Sequence, residues 1–248
     1  MSLHPAASSA PSCTLCPFHG VCRTACGDAV SGRQVPLTPR PVRLRAGEAL
    51  YVQGRPVLSV YPIRHGGLKR VYESHLGWRQ VSGFLQGGDV AGLEPDSATT
   101  HGASAIALQD TECCGISTEA VQLQLGDPVI RAAILAILQR QAASQSELLV
   151  AIGSMKAAQR LAMLLLDLAA EQSRRGITDG VLTLAMTRHD MASYLGLTLE
   201  TVSRLLSRFR AVGLITVRHR QLRIVDPAGL AAVHADPDHL APHATHPE

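Results

Sequence analysis

Met186-Thr-Arg-His-Asp-Met-Ala-Ser-Tyr-Leu-Gly-Leu-Thr-Leu-Glu-Thr-Val-Ser-Arg-Leu-Leu-Ser-Arg-Phe209 holds two helices and the turn between them. Thr187 is placed to cap a short helix through Tyr194, with Asp190 three residues on completing a variant capping box. Gly196 turns the chain, and Thr198 caps a second helix over 199–212 that Gly213 closes. In this second helix Val202, Leu205, Leu206 and Phe209 share one face, leaving Glu200, Ser203, Arg204, Ser207 and Arg208 outward. Residues 214–217 and 221–225 read as two strands around Arg218-His-Arg220, a basic wing able to touch phosphates. The pattern is a winged helix-turn-helix presenting its second helix to the major groove of double-stranded DNA.

The outward residues suit base reading. Arg204 can donate twice to guanine, Glu200 can accept from the cytosine amino group, and Ser203 can meet a thymine methyl. Glu200 is the informative one, because phosphates repel a carboxylate and a helix built only for affinity would avoid it. The plainer alternative is a solvated face with an internal Glu200–Arg204 pair. Charge distribution favours DNA more than the total does. The 23 basic against 20 acidic residues leave only +3. Yet no Lys or Arg lies between Arg79 and Arg131, while Arg204, Arg208, Arg210, Arg218, Arg220 and Arg223 crowd one stretch.

Moving toward the N-terminus, the apolar pattern divides the 248 residues into parts. Residues 156–230 form the DNA-binding domain, opened by an amphipathic helix with Leu161, Leu164, Leu165 and Leu168 on one side. Residues 127–155 form a long helix, with Asp127 as cap and Pro128 in its first turn. Ile130, Ile134, Ile137, Leu138, Leu148, Leu149 and Ile152 recur along it at helical spacing, interrupted by Gln141, Ser144 and Gln145, with Gly153 as a candidate hinge. The stripe suits either a seam against a twin helix or packing on the chain's own barrel. Residues 41–126 alternate in short apolar runs punctuated by glycines, which predicts a small antiparallel barrel or sandwich. Residues 1–40 form a cysteine-rich arm and a proline-bearing linker, and the Ala-, Pro- and His-rich residues 231–248 read as a disordered tail.

No secretory signal opens the chain and no stretch is long enough to span a bilayer, so a cytoplasmic protein without a membrane partner is expected. In a reducing cytosol, six cysteines are ligands, reactive thiols or core residues sooner than disulfides. Cys13, Cys16 and Cys22 are spaced so that three thiolates can reach one inorganic centre. Spacing alone suits zinc about as well as iron and sulfide.

The quoted helix-turn-helix resembles that of the FNR branch of the CRP/FNR bacterial transcription regulators. Gly47-Glu-Ala-Leu-Tyr, Arg64-His-Gly-Gly-Leu-Lys and Gly83-Phe-Leu-Gln-Gly-Gly-Asp-Val-Ala-Gly resemble that family's effector barrel. The resemblance implies an α+β protein: an N-terminal antiparallel, cyclic-nucleotide-binding-like β-barrel, a long dimerisation helix and a C-terminal winged helix-turn-helix. It implies a homodimeric, oxygen-responsive activator working with RNA polymerase. Glu200, Ser203 and Arg204 would read a palindrome like TTGAT-N4-ATCAA, with Thr198, Ser207, Arg208, Arg218 and Arg220 also at the DNA. It further implies a 4Fe-4S cluster on Cys13, Cys16, Cys22 and Cys114, with Cys26 and Cys113 as spares. The seam's centre near Gln145 lacks a buried acid that could push protomers apart, a departure that bears on oxygen control.

The related CRP branch binds cAMP, but Gly92-Leu-Glu94 is followed by no basic residue until Arg131. An unpaired phosphate would cost several kcal/mol, on the order of a buried charge without a partner, so no cAMP is expected. The alternatives are a zinc-stabilised or cofactor-free constitutive DNA binder and, more remotely, a cluster-bearing redox enzyme or electron carrier. No nucleophile–base pair or dinucleotide loop supports the latter. A thiol switch at Cys113-Cys114 would need neighbouring cations that the local sequence lacks.

Overall fold

The computed structural model describes residues 16, 18–19, 38–93, 99–176 and 180–236. The chain divides into two units, 1–144 and 145–248, the boundary falling inside one long helix.

In the first unit, eight antiparallel strands among the described residues run β1 (Arg40–Leu44), β2 (Ala49–Tyr51), β3 (Ser59–His65), β4 (Gly67–Glu73), β5 (Arg79–Gln86), β6 (Val90–Ala91), β7 (Ser104–Ala107) and β8 (Thr111–Ser117). They form two four-stranded sheets, ordered β1-β8-β3-β6 and β2-β7-β4-β5. Between them lie Tyr51, Ile63, Leu68, Leu85, Ala91, Ala105, Ala107 and Cys113. The alternating runs of the sequence, at 42–44, 49–52, 57–64, 68–73, 80–85 and 103–108, predicted β1 to β5 and β7. β6 and β8 were missed because they are buried on both faces: Val90 and Ala91 are both buried, as are Thr111, Cys113 and Ile116, so their apolar residues do not alternate with polar ones.

The second face of β1-β8-β3-β6 is covered by helices. A short helix absent from the sequence reading, α1 (Thr118–Gln124), is capped by Ser117, whose Oγ accepts from the Ala120 N–H. Helix α2 (Pro128–Ser154) begins where Asp127-Pro128 indicates, with Asp127 Oδ1 accepting from the Val129 N–H at 2.7 Å. Gly153 is helical, and the helix ends one residue later at Ser154. Ile130, Ile134 and Ile137 are buried against Val60, Val90, Ile116 and Val121, with Leu138 packed alongside. This corrects the place of Ile130, Ile134 and Ile137 in a dimer seam: of the two readings the interrupted stripe allows, its first half takes packing on the chain's own barrel. Further along, Leu149 is 75% exposed and Ile152 is exposed, while Leu148 is half-buried.

The second unit contains α3 (Ala157–Arg174), β9 (Val181–Thr183), α4 (Arg188–Leu195), α5 (Leu199–Ala211), β10 (Ile215–Arg218), β11 (Gln221–Ile224) and α6 (Pro227–Ala235). A three-stranded sheet, β10-β11-β9, adds β9 to the expected wing. Helix α6 corrects the tail boundary at 231. Asp226 caps it by accepting from the Gly229 N–H at 2.8 Å, and Leu230 and Val233 are fully buried. Gln159 donates to the His234 carbonyl at 2.9 Å, joining α6 to α3. Residues of so small an apolar face, two buried positions in an Ala-rich run, carried too weak a period to be read as a helix. Residues 237–248 lie outside the described residues.

Candidate DNA interface and cysteine site

A reciprocal capping box and a second, one-way cap fix the helix-turn-helix. The Thr187 N–H and hydroxyl donate to Asp190 Oδ2 at 2.9 and 2.7 Å, and the Asp190 N–H donates back to Thr187 Oγ1 at 3.1 Å. Asp190 is buried, so these bonds satisfy a carboxylate that the fold removes from water. Gly196 ends α4 in the left-handed region at φ 62°, where only glycine is free of strain. Arg160 on α3 locks this turn by donating to the Leu195 carbonyl at 2.9 Å and to the Met155 carbonyl at 3.0 Å. Thr198 then caps α5, its Oγ1 accepting from the Thr201 N–H at 3.1 Å.

Helix α5 buries Val202, Leu206 and Phe209, with Leu205 half-buried. Its other face presents Glu200, Arg204, Ser207 and Arg208 as exposed residues and Ser203 as half-buried. Arg204 Nη2 lies 2.6 Å from Glu200 Oε1, an ion pair whose side chains are 79% and 71% exposed. Ser207 Oγ donates to the Ser203 carbonyl at 3.0 Å. The predicted readers therefore sit together on one solvent-facing surface, and Arg218 and Arg220 flank the turn between β10 and β11, both exposed.

The structure adds Arg188 to the candidate residues and brings Arg210 of the basic stretch and His219 of the wing together with Ser207. A cavity of about 220 Å³ is lined by Arg188, Leu206, Ser207, Arg210, Val217 and His219. It gathers the start of α4, the recognition helix and the wing around one cationic hollow. Arg188 Nη1 reaches Ser203 Oγ at 3.5 Å. His219 forms the wing tip at φ 54°, uncommon for a residue other than glycine. Arg188 carried no role in the sequence reading, though it left a signal: a cation in the first turn of a helix opposes the helix dipole, so its place there calls for another reason.

The cysteines divide between two faces of β8. Cys113 pairs in register with Val42 and Ile63 and points into the barrel core, fully buried. Burial, augmented by Cys114 and Glu112, pushes its thiol from 9.0 up to about 12. That direction opposes the reactive-thiol reading. Cys114 is half-buried and alternates to the other face, the one on which Ile116 joins the cluster with α2. Cys16 packs against this same cluster, beside the fully buried Phe18. The arm therefore meets the body on the face that carries Cys114, not on the side that carries Cys113. Cys13, Cys22 and Cys26 lie outside the described residues. Among those described, no three His, Cys, Asp or Glu side chains gather as a metal site. Glu112, on the face of Cys114, is paired with Arg64 and, at 3.5 Å, with Arg43.

A β-domain followed by a long helix and a winged helix-turn-helix with an arginine-bearing, solvent-facing second helix defines a DNA-binding transcriptional regulator. Residues 41–125 match the family described as a cyclic nucleotide-binding domain, and residues 159–233 match that described as a Crp-like helix-turn-helix domain. The transcriptional regulatory protein btr of Bordetella pertussis is 36% identical over 197 residues, covering 78% of this chain and 81% of that protein. The transcriptional activator protein Anr of Pseudomonas protegens is 33% identical over 191 residues, covering 77% and 78% respectively. The solved structure of FixK2 from Bradyrhizobium japonicum superposes with a TM-score of 0.72 at 29% identity, covering 79% of this chain and 97% of that one. The chain belongs to the CRP/FNR family, close to its FNR and Anr members. Its members are transcription regulators, which sets the redox-enzyme reading aside. No helix among the described residues is long and apolar enough to cross a membrane.

Proposed function

We propose that this regulator senses oxygen through a 4Fe-4S cluster on Cys13, Cys16, Cys22 and Cys114 and binds a TTGAT-N4-ATCAA-like palindrome as a homodimer. The observation carrying this reading is the sidedness of β8: Cys114 shares a face with the cluster against which Cys16 packs, whereas Cys113 is sealed in the barrel. Relatives named anaerobic regulatory protein, such as that of Haemophilus influenzae at 33% identity over 204 residues, agree with an oxygen-linked role. When bound, the cluster supplies an oxygen-labile inorganic core whose loss changes the state of its thiolates.

The chain's own residues supply the rest. Glu200, Ser203 and Arg204 read bases, while Thr198, Ser207, Arg208, Arg218 and Arg220 hold the backbone, joined by Arg188, Arg210 and His219 of the cationic hollow. For the dimer, Leu135, Leu138, Ala142, Gln145, Leu149 and Ile152 follow each other at steps of three and four along α2. Among these, Leu135, Ala142, Gln145, Leu149 and Ile152 are exposed. This seam replaces Ile130, Ile134 and Ile137, which the barrel buries, and leaves Leu148 at its edge.

Iron, acid-labile sulfide and operator affinity, measured without oxygen and again after air, test the proposal. About four of each per protomer are expected, with affinity lost in air. Cys114→Ala is expected to lose the cluster and Cys113→Ala to keep it. Zinc in place of iron, or affinity indifferent to air, overturns oxygen sensing and leaves the DNA-binding regulator standing.

A further inference from the structure

One side chain of the cysteine arm lies inside the hydrophobic core of the first unit. Phe18 is 0% exposed and belongs to one buried cluster with Val60, Val90 and Ile116 of the sheet, Val121 of α1 and Ile130, Ile134 and Ile137 of α2. It is among the largest fully buried side chains of the protein. Deleting it would leave a cavity the size of a phenyl ring in the cluster that the three isoleucines share with the sheet. A short local bond, from the His19 N–H to the Cys16 carbonyl at 3.0 Å, ties the backbone on either side of Phe18 together. Two residues span at most about 7 Å, so the position of Cys16 and the seating of Phe18 constrain each other.

We propose that Phe18 is the positioning residue through which the arm acts on α2. Seated, the ring completes the core that holds the first half of α2 on the barrel, and with it the seam positions Leu135, Leu138 and Ala142 carried by that half. Withdrawn, it leaves that half packed against a cavity, and the helix opens locally. This rests on the cluster reading for the signal that reaches Cys16, but the anchor itself depends only on the packing of Phe18. It assigns an apolar residue, not a ligand, to the step between the thiolates and the dimer seam.

The experiment is hydrogen exchange of the segment 128–138 in the full-length protein, for wild type, Phe18→Ala and Phe18→Leu, with and without exposure to air. Iron is counted in each sample. Phe18→Ala is expected to raise exchange there on the order of a hundredfold, the scale of deleting a buried phenyl ring, and to weaken operator binding even in samples that retain iron. Phe18→Leu, which refills most of the space, is expected to remain within about tenfold of wild type. Air is expected to raise exchange in wild type and to add nothing in Phe18→Ala. Unchanged exchange at 128–138 in Phe18→Ala, or a full response to air in that variant, overturns the proposal. Wild type without iron refutes the cluster reading alone, and the exchange difference between wild type and the two variants then still decides the anchor.

Discussion

Replacing Glu200 with Ala separates a DNA-reading helix from an ordinary solvated one, because the two roles carry different energies. On the fold, Glu200 contributes an ion pair to Arg204 whose partners are 79% and 71% exposed. Such i,i+4 pairs are worth about 0.3–0.5 kcal/mol, and less in salt. Its place in the first turn of α5 adds about 0.3–1 kcal/mol through the helix dipole. The substitution should therefore cost at most about 1.5 kcal/mol of stability. On DNA, a carboxylate accepting from a cytosine amino group discriminates by about 1–3 kcal/mol, roughly five- to 150-fold at 1.4 kcal/mol per tenfold. Removing a negative charge also eases repulsion from phosphates, so non-specific affinity should hold or rise. The assay is competition between duplexes differing at one half-site base pair, repeated at two salt concentrations, beside a thermal melt. Glu200→Ala is expected to melt within a few degrees of wild type while losing preference at that position and no other. Preference unchanged across all half-site positions would refute base reading by this residue and return the Glu200–Arg204 pair to a solvated face.

Thr198→Ala removes the oxygen that accepts from the Thr201 N–H, and its expected cost is about 1 kcal/mol of unfolding free energy. Thr198→Ser should restore most of it in the same denaturant titration. In metal-free protein, a small alkylating agent is expected to label Cys114 well before Cys113, since Cys114 is half-buried and Cys113 is sealed in the barrel. Equal rates read by peptide mass spectrometry would contradict the assigned faces of β8. Burial raises the Asp167 carboxyl above its usual value and Glu147 adds to this, while His234 and Arg174 partly oppose it. A raised folded value means the stability associated with the protonated form is present below the ordinary carboxylate range and lost as pH rises through the raised one. Asp167→Asn should therefore raise the melting temperature at neutral pH by a few degrees and leave it unchanged in strong acid.

How much of the protein was legible in its sequence follows the range of the forces involved. The helix-turn-helix was readable almost residue by residue. Its determinants act within three or four positions: the Thr187–Asp190 box, Gly196 in the left-handed region and Thr198 at the cap. Strands with one wet face were readable for the same reason, whereas β6 and β8, covered on both sides, lost the alternation that marks a strand. Which isoleucines of α2 face the barrel was not readable, because one helical period serves a partner helix and a sheet equally well. Only the folded chain shows that Ile130, Ile134 and Ile137 are covered and that Leu149 and Ile152 are exposed. The cationic hollow of Arg188, Arg210 and His219 likewise assembles from elements that meet only in space.

The cysteines show the same division. Their spacing in the arm marks a centre that thiolates could hold, a local property of the chain. The choice between Cys113 and Cys114 is a matter of sheet sidedness, since neighbours in a strand point to opposite faces. That Cys113 enters the barrel while Cys114 lies on the face where Cys16 and Phe18 pack was decided by which surface α2 covers. Sequence determined the caps, turns and ligand types, whose physics is short-ranged. Tertiary structure decided burial, because burial depends on what the rest of the chain leaves open to water.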